Sequence, residues 1–242
     1  MDIPHWMSRT QLLLGDEQMA KLIRANVLVV GLGGVGGICA EMIARSGVGS
    51  MTIIDADVVE ASNRNRQLPA LVSTEGQRKA EVLGQRLIDI NPDLKLKIIN
   101  EFLNRENRDG LLGKTTFDYA VDCIDTLTPK VHFIKYCLDQ GIPIVSSMGA
   151  GSKVDPTQVK IVDISETYNC KLAYYVRKKL HNLGIYTGLK VVFSPERPSE
   201  KRIVLTESGP KKSVIGTISY MPAIFGCTLA SVAIRDLYER RP

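Results

Sequence analysis

The segment from Val27 to Gly47 restricts the fold more than any other stretch of the chain. Val27-Leu28-Val29-Val30 is an unbroken apolar run that stops at Gly31-Leu32-Gly33-Gly34-Val35-Gly36-Gly37. Apolar residues then return at helical spacing (Val35, Ile38, Met42, Ile43), so the pattern predicts a strand, a tight turn and a helix. Glycine at positions 31, 33, 34 and 36 lets the backbone approach a phosphate that any Cβ would hold off. The first N–H groups of the helix then face the anion, with the helix dipole behind them. Alone, a G-x-G-x-x-G string is a weak signal, because turns collect glycine for steric reasons. Here a second apolar run, Met51-Thr52-Ile53-Ile54, ends in Asp55, at the roughly 20-residue offset where a carboxylate accepts ribose hydroxyls. Strand, helix and strand in so short a span form a βαβ unit with parallel neighbours and a right-handed crossover.

The remaining chain continues in the same style. Residues 8–24 read as an N-terminal arm and a short helix, with Leu, Met and Ile repeating at three and four, that needs a surface to cover. Gln77–Ile90 reads as a helix with Ala80, Leu83, Leu87 and Ile90 on one face, stopped by Asn91-Pro92. Strands are predicted over 96–100, 117–121, 143–147, 158–163 and 190–193, and helices over 106–112, 128–140, 170–182 and 218–239. Residues 194–217, rich in Pro, Ser, Lys and Gly, read as a crossover loop. The fold class that follows is α/β: a Rossmann-like doubly wound sheet, mostly parallel, with antiparallel strands in the C-terminal part, all in one domain spanning 1–242.

Composition excludes some functions. With 44% hydrophobic and 24% charged residues in 242, the chain is ordinary globular material. No run approaches the ~18 uninterrupted apolar residues of a membrane span, and the start lacks a secretory pattern. A cytoplasmic protein with no integral membrane association is therefore expected. Five scattered cysteines read as reduced core residues; Cys227, in an apolar helix, is expected inside. Between Lys171 and Lys212 ten Lys/Arg face three acids, more positive than the whole-chain charge of +5. Such a region suits a polyanion such as RNA, or is a solvated face.

The chemistry concentrates beyond the strand ends. After Asp55 a polar stretch, Ser62-Asn63-Arg64-Asn65-Arg66-Gln67, leaves the carboxyl edge of the sheet, where open α/β folds keep their sites. Lys79 opens the next helix, and Asp122-Cys123-Ile124-Asp125 closes the fourth strand on the same edge. Arg66 and Lys79 suit triphosphate oxygens, while Asp125, with Asp57, suits Mg²⁺; Asn63, Asn65 and Gln67 suit base, ribose or phosphate. Read singly, the cations are surface charges and Asp122 is a cap for the next helix.

These strings carry a resemblance. Gly31–Gly37, Ile54-Asp55-Ala56-Asp57-Val58-Val59, Ser62–Gln67, Gly76-Gln77-Arg78-Lys79-Ala80, Ile90-Asn91-Pro92 and Asp122–Asp125 resemble the ThiF/MoeB superfamily of ATP-dependent adenylating enzymes, relatives of ubiquitin activators. Ser8-Arg9-Thr10, Ala44-Arg45-Ser46-Gly47-Val48-Gly49, Gly149–Gln158 and Val192–Glu196 are similar to the tRNA threonylcarbamoyladenosine dehydratase branch. That resemblance implies activation of the threonylcarbamoyl carboxylate, on the adenosine beside the anticodon, as an acyl-adenylate that a neighbouring urea atom closes into a ring. It implies ATP and Mg²⁺ as cofactors and modified tRNA as partner, with room for a sulfur-transfer protein. It also implies a homodimer in which Arg9 reaches the partner's site. Residues carried over are the glycines 31 to 36 for phosphate, Asp55 for ribose, Asn65, Arg66 and Lys79 for the triphosphate, and Asp125 for the metal. Paired C-x-x-C motifs, which hold a structural zinc in many superfamily members, are missing from this sequence, so no zinc is expected. Adenylation of a ubiquitin-like sulfur carrier's C-terminus is the alternative. NAD-dependent oxidoreduction fits less well, because the 63–67 segment and Lys79 have no role in hydride transfer.

Overall fold

A computed structural model describes residues 3–197, 203–205 and 213–239 of the chain. Seven strands form the main sheet: β1 (Asn26–Val30), β2 (Ser50–Ile54), β3 (Lys95–Ile99), β4 (Tyr119–Asp122), β5 (Ile144–Ser147), β6 (Lys160–Asp163) and β7 (Lys190–Phe193). Their order is β3-β2-β1-β4-β5-β7-β6, and every neighbouring pair is parallel except β6–β7. The chain winds outward from β1 to β3, then returns to the other side of β1 as β4. In register, Val30 lies opposite both Ile54 and Asp122, so the ends of β2, β1 and β4 open onto one rim. This reversal is where doubly wound sheets leave a crevice.

Both faces of the sheet are covered, and strand alternation sorts the core. Val27 and Val29 point to one side with α3 (Gly36–Arg45), α4 (Lys79–Ile90) and α8 (Tyr220–Glu239). Leu28 and Val30 point to the other, with α6 (Leu127–Asp139), α7 (Lys171–His181) and the short α5 (Arg108–Leu112). α8 packs closely on α3: a Cβ at Gly226 would stand 2.4 Å from the Val35 carbonyl.

The N-terminal arm and short helix expected over 8–24 are both helical, α1 (Ser8–Leu14) and α2 (Asp16–Arg24), separated by Gly15 at φ +82°. α2 supplies the anticipated cover by packing on α8 and burying Met19 and Leu22. α1 does not: its Leu12 and Leu13 are 87% and 82% exposed. The stretch expected as a crossover loop over 194–217 contains two short strands, β8 (Ile203–Leu205) and β9 (Ser213–Ile215), paired antiparallel. The β-branched clusters Ile203-Val204 and Val214-Ile215 supply their strand propensity. Of the basic region, Lys201, Arg202, Lys211 and Lys212 lie outside the described residues.

Cys39, Cys137 and Cys170 are buried and all five cysteines are free, but Cys227 is exposed. On α8, Phe225, Leu229 and Val232 take the inward positions, which leaves 227, 231 and 235 on the solvent side. Among the described residues no helix is long and apolar enough to cross a membrane.

Candidate active site

The turn between β1 and α3 is built by glycines with different duties. Gly31, at φ +87°, donates its N–H to the Ile54 carbonyl at 2.9 Å, and a Cβ there would lie 2.8 Å from the Cys123 carbonyl oxygen. At Gly36 a Cβ would fall 1.7 Å from the Gly31 carbonyl oxygen, so this glycine closes the turn against its own helix. Gly34 is limited by Pro222 on one side and the Arg66 carbonyl on the other, at 2.9 and 3.1 Å. Gly33 has room: the nearest group is the Gln67 side chain, at 3.8 Å. A concave backbone with space above it is what an anion site requires.

Asp55 is tied into that turn. Its Oδ2 accepts the Leu32 N–H at 2.6 Å and its Oδ1 accepts the Asp57 N–H at 2.8 Å. Burial pushes its carboxyl above the usual aspartate range, against the opposing pull of these N–H groups and of nearby Lys79. Asp57 in turn holds Lys79: the carboxylate is 2.7 Å from Nζ, and the Asp57 carbonyl accepts the Lys79 N–H at 3.0 Å. Lys79 is buried while Asp57 is exposed, which anchors the ammonium at the rim rather than in solvent. One Asp57 oxygen is thus engaged with the lysine, at a residue the sequence suggested beside Asp125 on a metal.

The polar 62–67 stretch folds into tight turns over the same bend. Arg66 donates from Nη1 to the Ser62 carbonyl and to Asn65 Oδ1, both at 2.9 Å, and its Cγ lies against Gly34. Asn65 donates to the Thr217 carbonyl at 3.0 Å and so ties this segment to the approach to α8. Asn63 is buried and accepts the Glu60 N–H at 3.2 Å; it serves its own turn. Gln67 is different, because its Oε1 is buried with no hydrogen-bond partner beside the roomy Gly33. A buried acceptor without a donor is costly unless a ligand supplies one.

Asp125 completes the rim as an exposed carboxylate two residues past Cys123, whose carbonyl meets Gly31. Its loop is held from below by Asp122 together with two groups that sequence reading missed, Lys130 and Ser146. Asp122 and Lys130 form an ion pair at 2.6 Å with both side chains fully buried, and Ser146 Oγ donates to the same Asp122 oxygen at 2.6 Å. The other Asp122 oxygen accepts the Ile124 N–H at 3.0 Å. Asp122 is thus a buried anchor, not the cap of α6, whose N-cap residue is Thr126. Lys153, in the loop after β5, is likewise buried, and burial lowers its ammonium; Nζ donates to the Glu196 carbonyl.

The structure therefore gathers the glycine turn, Asp55, Asp57, Lys79, Asn65, Arg66, Gln67 and Asp125 around one bend. It leaves Arg9 apart. Arg9 is exposed on α1, which packs against α2, and among the described residues no hydrogen bond or ion pair joins it to the turn.

The sequence pattern of the ThiF family matches residues 7–241. The chain belongs to the ThiF family. Within the family it is 38% identical to the tRNA threonylcarbamoyladenosine dehydratase of Bacillus subtilis (strain 168), over 97% of this chain and 95% of that one. It superposes on crystal structures of the Escherichia coli tRNA N6-threonylcarbamoyladenosine dehydratase TcdA, one in complex with ATP and one with AMP. Both give a TM-score of 0.87 over 99% of this chain and 98% of the other, at 32% and 31% identity respectively. The ThiF-family bend thus lies in a fold whose solved relatives hold both nucleotides.

Proposed function

We propose that this protein is an ATP-dependent tRNA threonylcarbamoyladenosine dehydratase that works through carboxylate adenylation, in the cytoplasm. One observation carries the reading. Lys79 beside Asp55, Arg66 against Gly34 and Asp125 two residues past the Cys123 carbonyl that meets Gly31 all border the glycine bend, in a chain that matches named dehydratases over nearly its whole length.

The residues present fit ATP. Gly33 leaves room for phosphate, the first N–H groups of α3 face it, and the Gln67 Nε2, the atom nearest Gly33, can donate to a phosphate oxygen there. Asp55, already holding the Leu32 and Asp57 N–H groups, retains lone pairs for a ribose hydroxyl. They also fit Mg²⁺. Among the described residues no cluster of three or more His, Cys, Asp or Glu forms an all-protein cage. Mg²⁺ needs none, since it keeps waters and takes one or two carboxylates beside substrate phosphates, and Asp125 is the carboxylate that would hold it. When bound, the ion supplies charge neutralisation on the phosphates.

In the first step the threonylcarbamoyl carboxylate oxygen bonds to the α-phosphorus of ATP and pyrophosphate leaves. Two anions repel each other unless fixed cations lie between them, which is the duty of Lys79 and Arg66. Asp57 keeps Lys79 aimed at the rim, and Asn65 fixes Arg66 through its Oδ1. In the second step a urea atom bonds to the activated carbonyl carbon, the urea gives up one proton to solvent, the ring closes, and AMP leaves with one former carboxylate oxygen. The base has then lost one water. Arg9 acts across a homodimer in this reading, supported by its exposure on a helix whose Leu12 and Leu13 face solvent.

The test is direct. Protein, ATP, Mg²⁺ and tRNA from cells lacking this protein should yield AMP, pyrophosphate and tRNA lighter by one water. Formation of ADP, or no ATP cleavage with that tRNA, overturns the reading.

A further inference from the structure

The outward face of α7 is anomalous for a helix that only needs to stay in solution. Ala173, Val176 and Leu180 are buried on the sheet side. The opposite stripe, at successive three- and four-residue steps, is Lys171, Tyr174, Tyr175, Lys178 and Lys179, all exposed. Tyr174 and Tyr175 are 51% and 43% exposed, and their rings meet edge to face with centroids 5.2 Å apart. No acid occurs in α7. Lys178 and Lys179 complement the helix C-terminus, but Lys171 sits in the first turn, where the helix dipole disfavours a cation. Helix stability therefore accounts for neither Lys171 nor the two exposed rings.

The face continues past both ends. Before α7, Lys160 lies over the half-exposed Tyr168 ring at 5.8 Å; after it, Tyr186 packs at a tilt against His181, with centroids 5.0 Å apart. Glu166 is an exposed acid beside the first of these pairs. The stripe also starts in a telling place. Gly149, two residues past the end of β5, lies close to Cys170 and Leu172, with a Cβ 3.8 and 3.7 Å from their side chains. The first turn of α7 therefore borders the carboxyl rim that carries the glycine bend. The helix runs on for about 16 Å, the length of roughly five stacked nucleotides.

We infer that this stripe is an RNA-docking face: the lysines contact phosphates and Tyr174 and Tyr175 are platforms for unpaired bases. Lysines interleaved with exposed rings are what a single-stranded RNA loop needs, since stacking tolerates any base and the backbone supplies the charge. A second copy of this chain is a poorer fit. A two-fold contact through the face would set lysine against lysine. The inference rests on the tRNA reading above and deepens it by assigning where the loop beside the reacting adenosine lies.

The experiment uses the full-length protein with two variants, Tyr174→Ala/Tyr175→Ala and Lys171→Gln/Lys178→Gln/Lys179→Gln, plus Tyr174→Phe/Tyr175→Phe. The probe is a tRNA anticodon stem-loop, titrated at several salt concentrations, with ATP affinity and sedimentation measured in parallel. The alanine pair should weaken RNA binding roughly tenfold for each ring lost, and the phenylalanine pair should restore it. The glutamine triple should lower the slope of log affinity against log salt by about two to three. ATP affinity should not move. RNA affinity unchanged in both variants while tRNA dehydration persists overturns the docking face and leaves the reaction standing. Loss of RNA binding together with a changed sedimentation coefficient assigns the face to self-association and overturns it too. Loss of RNA binding in the variants, in a protein that gives no ATP-dependent loss of water, supports the face and overturns the reaction.

Discussion

Replacing Lys130 by methionine should destabilise this protein more than any substitution of an exposed lysine. Methionine keeps most of the volume, so little of the effect is a cavity. What changes is Asp122, which remains fully buried with the Ser146 hydroxyl at 2.6 Å and the Ile124 N–H at 3.0 Å but without its countercharge. Breaking a buried pair by removing one partner costs about 3–5 kcal/mol, because the other charge is stranded in a low dielectric. For a chain of this length the unfolding entropy is roughly 0.5 kcal/mol/K, so the melting temperature should fall by roughly 6–10 °C. Calorimetry gives the shift, and urea unfolding gives the free energy. The double variant Asp122→Asn/Lys130→Met removes both charges and should recover most of the loss. Since Asp122 also holds the Ile124 N–H, one residue before Asp125, the single variant should also adenylate more slowly below its melting range. A Lys130→Met protein within about 1 kcal/mol of the parent would refute the claim that a stranded Asp122 charge dominates.

Other outcomes follow from the same geometry. Gly33→Ala should fold normally and lose nucleotide affinity by tenfold or more, whereas Gly36→Ala, which sets a methyl 1.7 Å from the Gly31 carbonyl, should fail to fold; calorimetric titration with ATP separates the two. Lys79→Ala should slow AMP formation by about 10²–10³-fold, as for other lost transition-state donors, and Asp57→Asn should slow it less; equal effects would mean that Asp57 acts on the reactants itself. Burial raises Glu41, but the Arg86 and Arg45 guanidiniums outweigh that and hold its carboxyl below the usual range. An acid with a depressed folded value stabilises above its unfolded value and loses that contribution as pH falls through the folded one. The stability gap between the parent and Glu41→Gln, on the order of 1 kcal/mol at neutral pH, should therefore close as pH drops below about 4.3, and a gap independent of pH would contradict the pairing. If Arg9 serves the partner's site, mixing Arg9→Ala with Lys79→Ala should regain AMP formation that neither shows alone; no recovery after subunit exchange removes Arg9 from the mechanism.

The parts of the fold legible in the sequence were those fixed by local sterics and periodicity. β1, the bend and α3 could be read because only glycine fits at Gly31 and Gly36, and α4 because its apolar face repeats every turn. Lys130 was hidden. In the string Thr128-Pro129-Lys130-Val131-His132 a lysine reads as a surface charge, although it lies on the inward stripe with Ile134 and Cys137, and that placement was the available signal. Cys227 misled for the converse reason, since a strongly apolar helix still has one outward stripe. The β8–β9 hairpin escaped because its strands are only three residues each and the segment around them is rich in loop formers. At the site, residue types could be read but not their commitments: that Asp57 clamps Lys79 and Asn63 serves its own turn depends on contacts no spacing encodes.

A sheet whose strands run one way, β6 excepted, has two unlike ends. The glycine bend and the side chains around it leave it at the carboxyl end, which makes the far end available for handling the molecule. The turn at Gly141, just before β5, is in the left-handed region at φ +65°, and a Cβ there would meet no atom within 4 Å. A dye, an affinity handle or a surface tether joined beside it would be carried on the blind side of the sheet. Immobilised in that orientation, the enzyme would present its open crevice to bulk solution, ready for single-molecule counting of turnovers.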